Sequence, residues 1–251
     1  MMEVLSKKYK KKLKQFSLNE KTDFIIYLQE LIVRTDKCLV KMKRNLDNLA
    51  KLIKKHDMNE LEEGFSGEII VPSEKYGMYV DLLSNNTSYL LNLIGDQQNS
   101  SISYKKFRYI IDRRIKKKSL KFEIREIDEE VNKILCDLNK MRNWFNHVPE
   151  SLLLSEIELI REGKLNSHKL QPIEIYYPTY CSLNVVKDLY ETSFGFYNIC
   201  RKIHQNAKKD YSSLIGKSVT INRISIDEPK TMEYFEATKL SSDVQGIKGY
   251  I

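Results

Sequence analysis

Three side chains near the middle of the chain have the types and the spacing for phosphodiester chemistry. Arg142 and Asn143 are adjacent, and His147 follows four residues after Asn143. An arginine grips a phosphate with a planar fork of N–H groups and stays charged. A histidine gives or takes a proton near neutral pH, and an asparagine orients either group or a substrate hydroxyl by hydrogen bonding. This set therefore predicts a phosphodiester site.

The same residues also fit an ordinary helix end. A surface asparagine and histidine near the end of a helix are often solvated or act as caps. Three features favour a site instead: the surrounding helix is strongly periodic, Trp144 and Phe145 make the middle of the motif largely apolar, and the chain is basic.

A helix over about residues 121–148 must position these side chains. Its apolar residues recur at alternating steps of four and three, which indicates one helical face packed against neighbours. They are Ile127, Val131, Ile134, Leu138, Met141, Phe145 and Val148. We therefore expect Met141 and Phe145 to be buried, and Pro149 to stop or kink the helix.

The polar residues of the motif fall on other parts of this predicted helix. Successive residues advance by about 100°, so Arg142 should lie at the edge of the apolar face. Asn143 and His147 are four residues apart and should share a face that points away from it. Something other than their own core could therefore meet these two side chains.

The hexapeptide at 142–147, Arg-Asn-Trp-Phe-Asn-His, resembles the signature of the HEPN superfamily of helical-bundle proteins, many of which are metal-independent endoribonucleases. Arg142, Asn143 and His147 match the signature in type and spacing, and the resemblance covers about residues 60 to 210. It implies an all-α HEPN-like bundle, RNA as substrate, these three residues as the catalytic set, and a homodimer that pairs the two motifs. It also implies a toxin or anti-phage effector, and leaves open an inhibitor or antitoxin partner.

RNA cleavage without a metal can use the 2′-hydroxyl of the substrate as the nucleophile. His147 would be the acid or base, Arg142 would stabilise the pentacoordinate phosphate, and Asn143 would align the two. We expect no metal and no cofactor, because no carboxylate pair joins a histidine at helical spacing. The stretch Gly216-Lys217-Ser218 is not a P-loop, since Tyr211 stands where that motif needs its first glycine.

Composition narrows the class of partner. The chain has 251 residues and a formal net charge of +8, which favours RNA or DNA, and next an anionic membrane surface. No apolar run approaches the ~18 residues of a membrane span, so we expect no insertion. Four cysteines stand far apart and predict reduced, mostly buried thiols in a cytosolic protein: Cys38, Cys136, Cys181 and Cys200.

A basic helix is predicted just before the motif helix, over about residues 104–118. Phe107, Ile111 and Ile115 are four residues apart and define its core face, with Tyr104 and Tyr109 among its cations. Cations for phosphates and rings for unpaired bases suit an RNA groove, whereas the alternative is a solvated face. The candidate RNA-binding residues are Lys105, Lys106, Arg108, Arg113, Arg114, Lys116, Lys117 and Lys118.

We divide the chain into three predicted segments. Residues 1–56 carry a short basic helix at 4–15 and a long helix, residues 57–210 form the HEPN-like bundle, and residues 211–251 are a C-terminal extension. The extension alternates apolar and polar residues over 218–226, which predicts a strand, so we expect a short tail that is either irregular or β-containing. His204 is predicted to be structural. The alternative function is a non-catalytic helical module that binds nucleic acid or a protein and has no need of His147.

Overall fold

The computed structural model describes residues 16–63, 69–98, 101–146, 150–164 and 177–223, with backbone alone at 58–63 and 150–152. The chain forms two units, one of Leu18–Lys217 and one of the terminal segments Met1–Ser17 and Ser218–Ile251. His147 and the predicted basic helix at 4–15 lie outside the described residues. The elements below belong to the Leu18–Lys217 unit.

Helices dominate the described part of this unit, which confirms the all-α prediction. In chain order the elements are α1 Lys21–Glu63, β1 Ile70–Pro72, α2 Ser73–Gly95, α3 Tyr104–Lys116, α4 Glu129–Asn146, α5 Glu150–Arg161, β2 Tyr180–Ser182 and α6 Leu183–Ile215. None of the described helices combines the length and the apolar character that a bilayer crossing requires.

The two longest helices, α1 and α6, form the main packing contact of the unit. They run antiparallel, because Lys187 near the start of α6 pairs with Asp57 near the end of α1 at 2.9 Å. At their opposite ends the buried ring of His204 lies with Nε2 3.2 Å from the Ile32 carbonyl oxygen. The prediction that His204 is structural agrees with this position.

A two-stranded antiparallel ladder joins the beginnings of α2 and α6. Ile70 pairs with Ser182, Val71 with Cys181, and Pro72 with Tyr180. Each strand runs directly into its helix, so this ladder fixes where both helices begin. Strands of three residues leave no period-two pattern, and the sequence does not predict them.

The motif helix begins later than predicted. Residues 119–128 are irregular, and α4 starts at Glu129 rather than near 121. Two side chains of this segment contact other elements: the ring of Phe122 meets that of Phe24 at a centroid distance of 5.1 Å, and Arg125 donates to Asn206 Oδ1 at 2.7 Å. These tertiary contacts override the local helical pattern.

A buried ion cluster joins this segment to α3 and α6. The fully buried carboxylate of Asp210 pairs with Arg108, and its Oδ1 lies 2.7 Å from Arg125 Nε. Tyr104 Oη donates to Asp210 Oδ2 at 2.6 Å. Burial raises the pKa of Asp210, and the two guanidinium groups oppose that rise. The polar contacts that join α3, the segment 119–128 and α6 at this place therefore all depend on the carboxylate of Asp210.

The strand predicted over 218–226 does not form where the structure describes it, and the tail is irregular there, which is the other form predicted for it. Residues 218–223 form no strand, although Val219 and Ile221 are half-buried and their neighbours exposed. The alternating pattern therefore indicates alternating burial, without a partner strand among the described residues to complete a ladder. Residues 224–226 lie outside the described part of the chain.

Tyr27 on α1 fixes the loop between α2 and α3. Its Oη accepts the Ser103 N–H at 2.8 Å and donates to the Ser103 carbonyl at 3.1 Å. The Ser103 hydroxyl in turn donates to the carbonyl oxygen of Asp96, the residue that follows α2. Burial raises the pKa of Tyr27 to about 12.

We predict that Tyr27→Phe alters the alkaline stability of the protein. Unfolded tyrosine ionises near pH 10, so the wild-type free energy of unfolding should fall from pH 10 towards the folded pKa of about 12. Tyr27 should contribute roughly 2–3 kcal/mol to that fall. Tyr27→Phe removes this contribution and costs about 1–3 kcal/mol near neutrality, because the Ser103 backbone loses its partner. Urea unfolding at several pH values measures both effects. If the free energies of unfolding of the two proteins fall in parallel between pH 10 and 12, the ionisation of Tyr27 is not linked to stability and the prediction is wrong.

Candidate functional site

The site begins where α2 and α4 approach each other most closely. A Cβ on Gly95 would lie 2.8 Å from the Leu138 carbonyl oxygen, so only glycine fits at this position. Asn139 Nδ2 donates to the Gly95 carbonyl at 2.6 Å, which satisfies a group at the end of α2. The contact sets the position of the next turn of α4, which carries Arg142.

Arg142 continues the buried row of α4 rather than lying at its edge. Val131, Leu135 and Leu138 are buried, and Arg142 follows Leu138 by four residues. Its side chain is 11% exposed. The guanidinium therefore points at α2, and a charged group occupies a place in the row where an apolar one would be expected.

All three guanidinium nitrogens of Arg142 contact protein groups. Nε donates to Asn92 Oδ1 at 3.0 Å, Nη2 lies 3.3 Å from Asp96 Oδ2, and Nη1 donates to Asn143 Oδ1 at 3.3 Å. A guanidinium has five N–H donors. These contacts use three, which leaves two without a partner among the described residues.

The partners of Arg142 belong to a polar row on α2 that the sequence analysis missed. Ser88, Asn92 and Asp96 are four residues apart along α2 and its end. Asn92 Oδ1 also accepts from Asn146 Nδ2 at 2.9 Å, and Ser88 Oγ donates to Asn146 Oδ1 at 2.7 Å. The available signal was the spacing of these polar residues at steps of four through the last two turns of the helix, which are otherwise mostly apolar.

Asp96 occupies a costly position for a carboxylate. It is 5% exposed and follows the last residue of α2, where the helix dipole disfavours negative charge. Its Oδ1 accepts the Gln98 N–H at 3.0 Å, and its Oδ2 faces Arg142. The guanidinium and this N–H together offset the cost of burial.

The remaining motif residues divide into exposed and undescribed ones. Asn143 is exposed, as predicted, and its carboxamide oxygen lies beside the guanidinium of Arg142. His147 lies outside the described residues. Arg142, which contacts the polar row at Asn92 and Asp96, is thus adjacent to the exposed Asn143.

The prediction that Met141 and Phe145 are buried is wrong. Met141 is 40% exposed, Phe145 45%, and Trp144 between them 57%. The side of α4 that faces α2 carries Val131, Leu135 and Leu138. Met141 and Phe145 lie beside that row, on the flank of the helix. We call Met141, Trp144 and Phe145 the apolar flank of α4. Helix α5 likewise exposes Leu153, Leu154 and Ile157.

Four of the eight candidate RNA-binding residues are engaged with the protein itself. Arg108 is 3% exposed in the cluster around Asp210, so it is closed to a phosphate. Lys105 Nζ lies 2.9 Å from Cys136 Sγ, and Lys106 Nζ donates to the Ser101 carbonyl at 2.9 Å.

Arg114, the fourth engaged residue, joins α3 to the start of the unit. It donates to the carbonyls of Leu18 and Asn19, and its guanidinium carbon lies 5.3 Å from the centre of the Phe24 ring. The other four candidates are exposed: Arg113, Lys116, Lys117 and Lys118. The predicted RNA surface therefore contracts to the C-terminal end of α3.

The cysteines and the metal-binding residue types form no reactive cluster within the described residues. All four thiols are free, with Cys38 and Cys200 buried and Cys136 exposed. Burial raises the pKa of Cys38 to about 11. No three His, Cys, Asp or Glu side chains of the described ranges could hold one metal ion.

No family model, curated protein or solved structure matches this chain.

We predict that Gly95→Ala separates α2 from α4. The added methyl group would meet the Leu138 backbone, which cannot move aside as a side chain can. Such overpacking costs about 1–3 kcal/mol. The control is Gly77→Ala in the same helix, where nothing lies within 4 Å, and which should stabilise the protein by about 0.5–1 kcal/mol. Thermal unfolding compares the two variants; equal effects would mean that the close approach is not tight.

Proposed function

We propose that this chain is a metal-independent endoribonuclease of HEPN type, with Arg142, Asn143 and His147 as its catalytic residues. The supporting observation is the guanidinium of Arg142, which is held on a polar row at the α2–α4 contact and keeps two unused N–H donors. A fixed planar fork with spare donors suits a phosphate whose charge develops during reaction. The hexapeptide's resemblance to the HEPN signature adds the histidine.

The proposed reaction is an internal displacement at phosphorus. The 2′-oxygen of the substrate attacks the adjacent phosphorus, and the bond to the 5′-oxygen of the next nucleotide breaks. His147 takes the proton from the 2′-hydroxyl or gives one to the leaving 5′-oxygen, and Arg142 stabilises the pentacoordinate phosphate. Asn143 aligns Arg142 with His147 or the attacking hydroxyl. The products are a 2′,3′-cyclic phosphate, or the 3′-phosphate that its hydrolysis leaves, and a 5′-hydroxyl.

A second copy of the chain is the partner that the apolar flank of α4 supports. Three large apolar side chains stand 40–57% exposed directly beside Asn143. The apolar periodicity of α4 is wider than the side that α2 covers, as expected of a helix buried once within the chain and again between chains. Pairing through this surface would bring two motifs together.

The biological role follows from the resemblance alone. We propose a toxin or anti-phage effector that arrests growth by cutting RNA, controlled by an inhibitor or antitoxin and acting in the cytoplasm. The second candidate function is a non-catalytic RNA-binding module. The four exposed cations at the end of α3 favour it equally well, so His147 is the residue that separates the two functions.

We predict that cleavage of total RNA persists in EDTA and depends on the motif. His147→Ala should slow cleavage by ~10²–10⁴-fold, the usual value of a positioned acid or base. Arg142→Lys should also disable the protein, because an ammonium group cannot reproduce a planar fork. A deoxynucleotide at the cut position should block cleavage there.

Two matched variants control this assay. His56→Ala and Arg201→Lys make the same chemical changes away from the motif and should cut at the wild-type rate. If folded His147→Ala cuts as fast as His56→Ala, the nuclease proposal is rejected and the binding module takes its place.

We predict a dimer that Trp144→Glu disrupts. A charge in the apolar flank would lose its solvation in the interface, so the variant should sediment as a monomer and lose cleavage. Ile26→Glu is the control, since Ile26 is 53% exposed on α1 against 57% for Trp144. Sedimentation velocity at micromolar concentration measures both, and a monomeric wild-type protein would refute the interface.

We predict that replacing Arg113, Lys116 and Lys117 by alanine flattens the salt dependence of RNA binding. The slope of log K against log[salt] is negative. Each lost phosphate contact should make it shallower by about 0.7, because fewer counterions are released on binding. The control replaces Lys37, Lys41 and Arg44, which are exposed on α1, and removes the same charge. Fluorescence anisotropy at several salt concentrations distinguishes them; identical slopes would assign the α3 cations to a solvated face.

A further inference from the structure

We propose that Asn92 and Asp96 are positioning residues of this site, which hold one edge of the Arg142 guanidinium so that its remaining N–H donors meet the phosphate of the substrate. The inference rests on the proposed nuclease function and assigns a second helix, α2, to its site. Neither residue belongs to the hexapeptide motif.

The geometry of the fork carries the inference. Nε and one terminal nitrogen form one edge of a planar guanidinium, and the two terminal nitrogens form its end. Asn92 accepts from Nε at 3.0 Å and Asp96 lies 3.3 Å from Nη2. Two acceptors four residues apart, Asn92 on α2 and Asp96 directly after its last residue, therefore fix the plane of Arg142 and its rotation within that plane. The two unused donors are then one on Nη1 and one on Nη2.

Both positioning groups are themselves held in place. Asp96 Oδ1 accepts the Gln98 N–H at 3.0 Å, and its carbonyl oxygen accepts the hydroxyl of Ser103. Asn92 Oδ1 accepts a second hydrogen bond, from Asn146 at 2.9 Å. A side chain that orients another must have few alternatives of its own, and these contacts remove most of them.

The two acceptors differ in charge, which allows the two roles to be separated. The carboxylate of Asp96 offsets the burial of Arg142 but also weakens the attraction of the guanidinium for an anion. The carboxamide of Asn92 orients Arg142 without that opposition. Removing the charge of Asp96 while keeping an acceptor should therefore leave turnover intact and favour substrate binding, whereas removing the acceptor should impair turnover.

The experiment measures kcat and KM of full-length variants on a mixed-sequence oligoribonucleotide that carries a fluorophore and a quencher. Asp96→Ala should lower kcat by about 10–100-fold with little change in KM, because misplacing a group by about 1 Å affects the transition state above all. Asp96→Asn keeps one of the two acceptor oxygens. With that oxygen towards Arg142 and water accepting the Gln98 N–H, kcat should return to within about threefold of wild type and KM should not rise. Asp137→Ala is the control: its exposed carboxylate pairs with Lys140 at 3.6 Å on α4, and its kinetics should be those of wild type.

A folded Asp96→Ala protein with wild-type kcat would overturn the inference. If Asp96→Asn is as slow as Asp96→Ala, an amide that turns its Nδ2 towards Arg142 gives the same result, so the pair Asn92→Ala and Asn92→Asp decides. The same pair decides if circular dichroism shows that Asp96→Ala does not fold. Asn92→Ala should lower kcat and Asn92→Asp should restore it, because the carboxylate accepts from Arg142 Nε and from Asn146 alike. Equal kcat in these two proteins would overturn the inference.

The failure of this inference differs from the failure of the proposed function. If the wild-type protein cuts no RNA, the nuclease proposal falls and the positioning role falls with it. If the wild-type protein cuts RNA and His147→Ala does not, while the Asp96 and Asn92 variants turn over normally, the nuclease stands. The contacts between Arg142 and α2 are then structural only.

Discussion

The guanidinium of Arg142, held against α2, is the interaction on which the rest of the site depends. It places a positive charge in a row otherwise made of buried apolar side chains, with 11% of the side chain exposed. Replacing a buried ion pair by apolar groups often costs nothing in stability, so its value lies in defining one geometry. Gly95 permits the helices to approach, Asp96 supplies the opposite charge, and Tyr27 fixes the loop that carries Asp96 through Ser103.

The ion cluster around Asp210 offers an instructive contrast. There two guanidinium groups and a tyrosine hydroxyl converge on one fully buried carboxylate, far from any motif residue in the sequence. The carboxylate is fully buried among these three groups, and Arg108 is closed to solvent. Arg142, like Arg108, uses three of its five N–H donors, but its side chain is 11% exposed and it lies next to the exposed Asn143. This difference makes Arg142, rather than Arg108, the candidate for binding an external phosphate.

The sequence alone predicted the helical elements better than the side on which each was covered. The predicted basic helix forms over Tyr104–Lys116, and Phe107 and Ile111 are buried as their spacing indicates, whereas Ile115, the third residue of that predicted core face, is 47% exposed. Met141 and Phe145 fit the same rule and are exposed, because periodicity indicates an apolar side without naming what packs against it. Arg108 and Asp210 are separated by 102 residues, and no local pattern reports such a contact. The polar row of α2 was visible as spacing, but only the close approach at Gly95 shows that it meets Arg142.

The chemistry at the cut end of the RNA tests the central claim most directly. If Arg142 stabilises a phosphate attacked by the neighbouring 2′-hydroxyl, mass spectrometry of the products of a defined oligoribonucleotide will find on one fragment a 2′,3′-cyclic phosphate or the 3′-phosphate that its hydrolysis leaves. The other fragment will carry a 5′-hydroxyl. Products with a 5′-phosphate and a 3′-hydroxyl would mean that water attacked from outside the ribose, which contradicts the account, as would the recovery of intact RNA.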